Sequence, residues 1–167
     1  TDGAKLLGES YQNTGLTHSQ TLMVMAEDLL KACGYKPQDV QAVAVAAGPG
    51  SFTGVRIGVA ALKGLVFSEE KNCVPVSTLE SMAYNVAGLP GSEDYVVCPA
   101  MDARRNQVYT AAFQWEEGEV HRLMEDKAIP IPELLDLVFR ETGMLAVFSA
   151  MPDGIRRERN LQAFKSF

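Results

Sequence analysis

Hydrophobic positions along the chain follow two periods, and their alternation predicts alternating helices and strands. From His18 to Cys33 the residues Leu22, Met25, Ala26, Leu29, Leu30 and Cys33 fall on one face of a helix. Thr17 or Ser19 can cap its start, while Gly34 and then Pro37 close it. Met23 and Val24 lie off that stripe, where they serve either as an adaptable contact surface or as slack in a core helix. Val40 to Ala47 alternates between turn residues and reads as a buried strand. A second helix, from Gly54 to about Glu69, carries Val55, Val59, Leu62, Leu65 and Val66 as its large apolar set. Gly54 and Gly58, and Ala60 and Gly64, repeat at turn spacing, which suits close approach of a neighbour on a second side. The His18–Cys33 helix is the expected neighbour. Residues 4–12 read as a strand of imperfect alternation.

Further on, Val74 to Val76 is a short strand, and Ser77 or Thr78 caps a helix running to about Val86. Ser77 with Glu80 fits a capping box, which explains Ser77-Thr78 without a nucleophile. Leu89 to Asp94 (Leu-Pro-Gly-Ser-Glu-Asp) is the expected boundary between two lobes. Tyr95 to Met101 and Gln107 to Trp115 read as two strands of a half-buried hairpin joined through Asp102–Asn106. A mostly polar strand, about Glu119 to Lys127, is expected at an edge. Pro132 to Arg140 is a short helix with proline in its first turn, and Leu145 to Phe148 a further strand.

Composition narrows the class. With 167 residues, 47% hydrophobic, the chain can bury a core as one domain or two small lobes. A net charge of −6 argues against a broad nucleic-acid surface held by counterion release. Cys33, Cys73 and Cys98 are odd in number and form no CxxC, as expected of reduced thiols rather than a disulfide or zinc framework. No apolar run approaches the length of a membrane span and no signal peptide is visible, so the expected location is the cytoplasm, away from membrane.

The candidate chemistry sits between the Val40–Ala47 strand and the helix after it, in Gly48-Pro49-Gly50-Ser51-Phe52-Thr53-Gly54. Strand, glycine-rich turn and helix is a common phosphate cradle. Gly54 is followed by Val55 and Arg56, so the P-loop lysine is absent, and Thr53 stands where the dinucleotide fingerprint needs its third glycine. Gly48, Gly50, Ser51 and Thr53 therefore form either a tight structural turn or a candidate nucleotide or anion loop, with Thr53 the favoured helix cap and Ser51 the weaker one. Arg56 in the first turn opposes the helix dipole and is open to a carboxylate or an anion. Asp102 with Arg104 and Arg105 reads either as a turn with a local ion pair or as an anion or carboxylate contact between the lobes. His18 has no second His, Cys or carboxylate at ligand spacing and reads as a helix-start residue; no metal site and no catalytic residue is expected.

Three motifs in order, Gly48-Pro49-Gly50-Ser51-Phe52-Thr53-Gly54-Val55-Arg56-Ile57-Gly58, Val76-Ser77-Thr78-Leu79-Glu80 and Met101-Asp102-Ala103-Arg104-Arg105, resemble the TsaB (YeaZ) family of threonylcarbamoyladenosine tRNA modification over roughly residues 4–140. The resemblance implies an α/β chain of the actin-like ATPase (ribonuclease H-like) fold. It implies a non-catalytic paralogue of the TsaD subunit, paired with it through the two helices. The expected interface is Leu22, Met23, Met25, Leu29 and Leu30 on the first helix and Gly54, Gly58, Ala61, Leu62 and Leu65 on the second. In the catalytic paralogue two histidines four residues apart bind metal on the first helix. Leu22 stands at the second of those positions, so metalloprotease chemistry is not expected. The implied partners are a TsaD-like catalytic subunit and a TsaE-like ATPase, with a homodimer when alone and tRNA met only through the complex. No cofactor is required; weak ATP or ADP binding is expected at a partner interface. The alternative is an ATPase or sugar-kinase-like phosphotransferase of the same fold using the Gly48–Thr53 loop. Residues 1–90 are then an N-terminal lobe lacking the family's first strand with its Asp-Thr-Ser-like loop, 91–150 a second lobe, and 151–167 a basic tail outside the family motifs.

Overall fold

Two packed helices and one long β-hairpin carry most of the secondary structure, in a computed structural model that describes residues 1–13, 15, 17–67, 71–86, 89, 91, 95–141, 155–156 and 159–160. The chain divides into two compact units, Thr1–Ser77 and Thr78–Phe167.

In the first unit, α1 (His18–Ala32) starts where the Gln20 side-chain oxygen accepts from the Thr17 N–H at 3.4 Å and the Thr17 hydroxyl at 2.9 Å. It ends on Gly34 at φ +79°, with Gly34 N–H donating to Lys31 O at 3.1 Å and Tyr35 N–H to Leu30 O at 2.9 Å. That is a Schellman cap, and only glycine adopts its left-handed residue without strain. After a 3₁₀ turn at Pro37–Asp39 come β1 (Ala42–Gly48), α2 (Phe52–Val66) and β2 (Asn72–Ser77). The two strands are parallel, in register from Ala42↔Asn72 to Gly48↔Ser77, so α2 is the crossover of a βαβ unit. α2 packs on β1 on one side and against α1 on another, as its paired bulky and small positions led us to expect.

The strand expected over residues 4–12 is not formed. Asp2 and Lys5 make an isolated bridge, and the following residues are irregular. This segment lies against α1 instead: a Cβ at Gly8 would come within 2.8 Å of Cys33 Sγ and 2.9 Å of Leu29 Cδ1. The Cys33 thiol donates to Leu7 O at 3.7 Å. Packing on a helix needs no period-two alternation, which accounts for the imperfect pattern.

The second unit begins with α3 (Thr78–Ala83), continued by a 3₁₀ turn at Tyr84–Val86, and holds β3 (Val96–Val97), β4 (Ala100–Arg104), β5 (Gln107–Glu116), β6 (Glu119–Pro130) and α4 (Ile131–Glu141). All pairings are antiparallel, with β3 and β4 following one another along one side of β5 and β6 on the other. The single strand expected over Tyr95–Met101 is thus two, because Pro99 has no N–H to give to a ladder. Thr110, Ala111, Ala112 and Phe113 are all buried, so β5 is covered on both faces rather than half-buried. Leu79 and Ala83 of α3 complete the cluster with Ala111 and Phe113. α4, an amphipathic helix that carries the buried Phe139 near its end, packs on β5 and β6. Arg122 of β6 lies with its guanidinium 4.7 Å from the Phe113 ring centre, bonded to Glu80 at 3.0 Å and Asp126 at 2.5 Å. Burial opposes its charge, but the hydrogen bonds to Asp126 and Glu80 outweigh that and hold it above the usual arginine range.

The units part between Ser77 and Thr78, ahead of the Leu89–Asp94 stretch where composition placed the boundary, because α3 packs on β5 and β6. The expected strand at Leu145–Phe148 lies outside the described residues. Of the 151–167 tail, residues 155–156 and 159–160 are helical.

Candidate functional site

The carboxyl ends of two parallel strands are where α/β sheets present ligand-binding loops. Here β1 ends on Gly48, paired with Ser77 at the end of β2, and the chain turns through Pro49 and Gly50 into α2. Gly48 sits at φ +124°, a conformation that a side chain would strain, and the Gly48–Pro49 peptide is cis. The helix cap is Ser51, not Thr53: Ser51 Oγ accepts the Gly54 N–H at 3.3 Å, and Thr53 lies within the helix. The helix begins two residues earlier than the sequence suggested. Val55 N–H closes the first helical bond onto Ser51 O at 2.9 Å, which leaves the Phe52 and Thr53 N–H groups without intrahelical partners.

A phosphate group would fit this loop only through such backbone N–H groups and the positive end of α2, whose first turn holds no acidic residue. No lysine stands in the loop, and the Arg56 guanidinium is drawn 5.1 Å from the centre of the exposed Phe52 ring. Among the described residues no group of three or more His, Cys, Asp or Glu is gathered as metal ligands would be. The side chain of His18 lies outside the described residues. A groove of about 500 Å³ lies instead at the opposite end of β1, between Gly8, Leu29, Tyr35, Gln41 and Ala42.

The expected pairing residues divide. Leu22 and Met23 are exposed on α1, at 38% and 42%, together with Val24 at 57%. Met25, Leu29 and Leu30 are half-buried, and Leu62 is buried at 8%. Ala61, Leu65 and Gly54 are half-buried as well. Gly58 requires a correction, because a Cβ there would meet Val45 Cγ2 at 3.2 Å. It faces its own sheet, and its smallness serves the α2–β1 contact rather than a partner. Two exposed apolar residues at the ends of α2 that the helical stripe did not single out are Phe52, beside the cap, and Phe67, just beyond the helix. Their signal is positional: large aromatics at helix ends, off the core stripe.

In the second unit, Asp102 and Arg104 stand at the β4–β5 turn. Asp102 Oδ1 accepts the Arg104 N–H at 2.7 Å, so its carboxylate shapes the backbone of the turn. The Glu27–Lys31 pair on α1, at 2.7 Å, is a solvated helix pair. Hydrogen bonding to Lys31 lowers the Glu27 pKa and, reciprocally, raises that of Lys31.

The first unit is a βαβ crossover with a glycine turn at its strand ends, and the second an antiparallel sheet flanked by helices, which makes this an α/β protein. The chain belongs to the family described as TsaD, tRNA N6-adenosine threonylcarbamoyltransferase, whose model matches residues 12–162. It is similar to the tRNA threonylcarbamoyladenosine biosynthesis protein TsaB of Bacillus subtilis (strain 168), 37% identical over 121 residues, 72% of this chain and 51% of that protein. The protein of the same name from Escherichia coli (strain K12) is 37% identical over 118 residues, 71% of this chain and 50% of its own. The solved structure of YeaZ from Pseudomonas aeruginosa superposes with a TM-score of 0.62 at 35% identity, covering 68% of this chain and 52% of that one. The chain spans about half the length of the relatives it matches. The resemblance read from the three motifs, and the actin-like α/β fold it implied, are borne out.

Proposed function

We propose that this chain serves N6-threonylcarbamoyladenosine modification of tRNA as a non-catalytic subunit that pairs with and supports a TsaD-like catalytic subunit. The observation that carries the reading is the similarity to proteins named for threonylcarbamoyladenosine biosynthesis. The exposed Leu22, Met23 and Val24 on α1 support it, since apolar side chains left in water around one helix leave it open to a protein contact. In this reading α1 and the exposed side of α2 form the pairing face, with self-pairing when the partner is missing. A TsaE-like ATPase joins the assembly, which acts in the cytoplasm. No helix among the described residues is long and apolar enough to cross a membrane.

ATP or ADP binds weakly, at a partner interface. Such a nucleotide would supply a polyphosphate anion, and the residues that would hold it are Gly50, Ser51, Phe52 and Thr53 at the α2 N-terminus. A second reading, a phosphotransferase of the same fold, is favoured by the position of the glycine turn at the carboxyl ends of β1 and β2. Size-exclusion chromatography with light scattering, with the TsaD-like protein of the same organism and with or without ATP, separates the two. A stable heterodimer supports the subunit reading. ATP turnover by this chain alone, with no heterodimer, supports the phosphotransferase.

A further inference from the structure

The two tight hairpins of the second unit solve the same backbone problem with different residues. Both use two-residue loops with positive φ at both positions, the mirror-image turn that matches strand twist. The β5–β6 loop is Glu117-Gly118, at φ +50° and +86°, with glycine at one of the two. The β4–β5 loop is Arg105-Asn106 at φ +55° and +58°, and Arg104 before it, at the register shift that ends β4, is also left-handed at φ +66°. Asn106 suits that region; an arginine does not. Two consecutive arginines are thus kept where glycine, asparagine or aspartate would sit with less strain. Side chains held against local preference point to a use for the side chain.

The charges are open as well. Arg104 and Arg105 are exposed, and among the described residues neither guanidinium meets a carboxylate. Elsewhere Arg122 is bound by Glu80 and Asp126, Lys31 by Glu27, and Arg56 lies over Phe52. The nearest acid in sequence, Asp102, spends an oxygen on the Arg104 backbone N–H at 2.7 Å and so fixes the turn. On a chain of net charge −6, this hairpin tip places two adjacent exposed guanidiniums beside a single carboxylate, Asp102. Paired guanidiniums, planar and forked, match phosphate oxygens two at a time.

We propose that the Arg104–Arg105 hairpin tip contacts the phosphate backbone of RNA. The proposal rests on the reading of the chain as a subunit of a tRNA-modifying assembly, and makes this tip the chain's own point of contact with the tRNA. With acidic surface predominating elsewhere, the contact is local and positions the RNA without reading its sequence.

The test uses unmodified tRNA from the same organism, bound by the chain assembled with its TsaD-like partner and by the chain alone, in a series of KCl concentrations. The informative variant is Arg104→Gly with Arg105→Gly, because glycine accepts both positive-φ positions and removes only the charges. Thermal denaturation should therefore show a hairpin at least as stable as before. The expected result is affinity several-fold to about tenfold weaker at low salt, and a log–log salt dependence shallower by about one per arginine. Arg104→Lys with Arg105→Lys should restore the salt slope while recovering only part of the affinity. An unchanged salt slope in the glycine variant overturns the proposal. Loss of association with the partner, with the tRNA salt slope of the chain alone intact, also overturns it and makes the tip a protein contact. If the wild-type chain fails to associate with the partner, the subunit reading fails, and the chain-alone titration still decides the phosphate contact.

Discussion

Gly58→Leu tests whether α2 is built around its own sheet. A Cβ at Gly58 already reaches 3.2 Å from Val45 Cγ2, tighter than most side-chain contacts, and a leucine adds three more carbons along the same path. Overpacking of this kind costs about 1–3 kcal/mol. The substitution recovers about 0.8 kcal/mol of helix propensity that glycine forgoes. The difference is a loss of up to about 2 kcal/mol. Gly58→Ala stops at the Cβ, asks Val45 to shift by a few tenths of an ångström, and should be nearly neutral because the propensity gain offsets the crowding. Urea unfolding followed by far-ultraviolet circular dichroism reads both, with the midpoint falling for leucine and holding for alanine at unchanged slope. The reasoning is refuted if Gly58→Leu keeps the wild-type midpoint while partner association is lost. That outcome would turn Gly58 outward.

Three further perturbations follow from the geometry. Ser51→Ala removes the acceptor of the Gly54 N–H and should lower stability by about 1 kcal/mol, whereas Thr53→Ala should cost much less; paired denaturation curves distinguish the two. Arg122→Met keeps the bulk over Phe113 but strips Glu80 and Asp126 of their cation, and should lose about 1–2 kcal/mol of stability in urea titrations. Its pKa is raised in the fold, so its stabilisation is fully present below the unfolded arginine pKa and disappears only as pH rises beyond it; near neutrality its own titration adds no slope. Glu27 has a depressed pKa, so its pairing with Lys31 is present above the unfolded glutamate pKa and is lost as pH falls through the folded one. Both side chains are largely solvated, so Glu27→Gln should leave the neutral-pH midpoint within error and change only the acid limb.

Much of the fold is legible in the residues themselves. The stripe from Leu22 to Cys33, closed by Gly34, gives α1 almost to the residue, and the α2 crossover follows from a strand, a glycine turn and a proline-free apolar stretch. What escaped was tertiary in origin. Residues 4–12 have a strand-like composition but answer to α1, through the clearance at Gly8. The burial of β5 on both faces depends on α3 and α4, which no local alternation reports. Pro99 was visible, and its meaning as a break between β3 and β4 required only the missing N–H.

The candidate site was legible in outline and not in orientation. Gly48, Gly50, Ser51 and Thr53 were identified as a loop at a helix start, but a two-residue shift decides which hydroxyl is the cap. Small residues at turn spacing on α2 admit a neighbour on either side. Sequence cannot tell a glycine that clears a partner from one that clears its own sheet, as Gly58 does. The exposed aromatics Phe52 and Phe67 were hidden by the same ambiguity.

The central claim, pairing through α1, is tested most directly by light scattering of the chain with its TsaD-like partner after Met23→Glu. Met23 is 42% exposed, so the variant should keep the wild-type unfolding midpoint. The account predicts a heterodimer weakened at least about tenfold, the effect of forcing a charge into an apolar contact. A heterodimer of unchanged mass and affinity would contradict it.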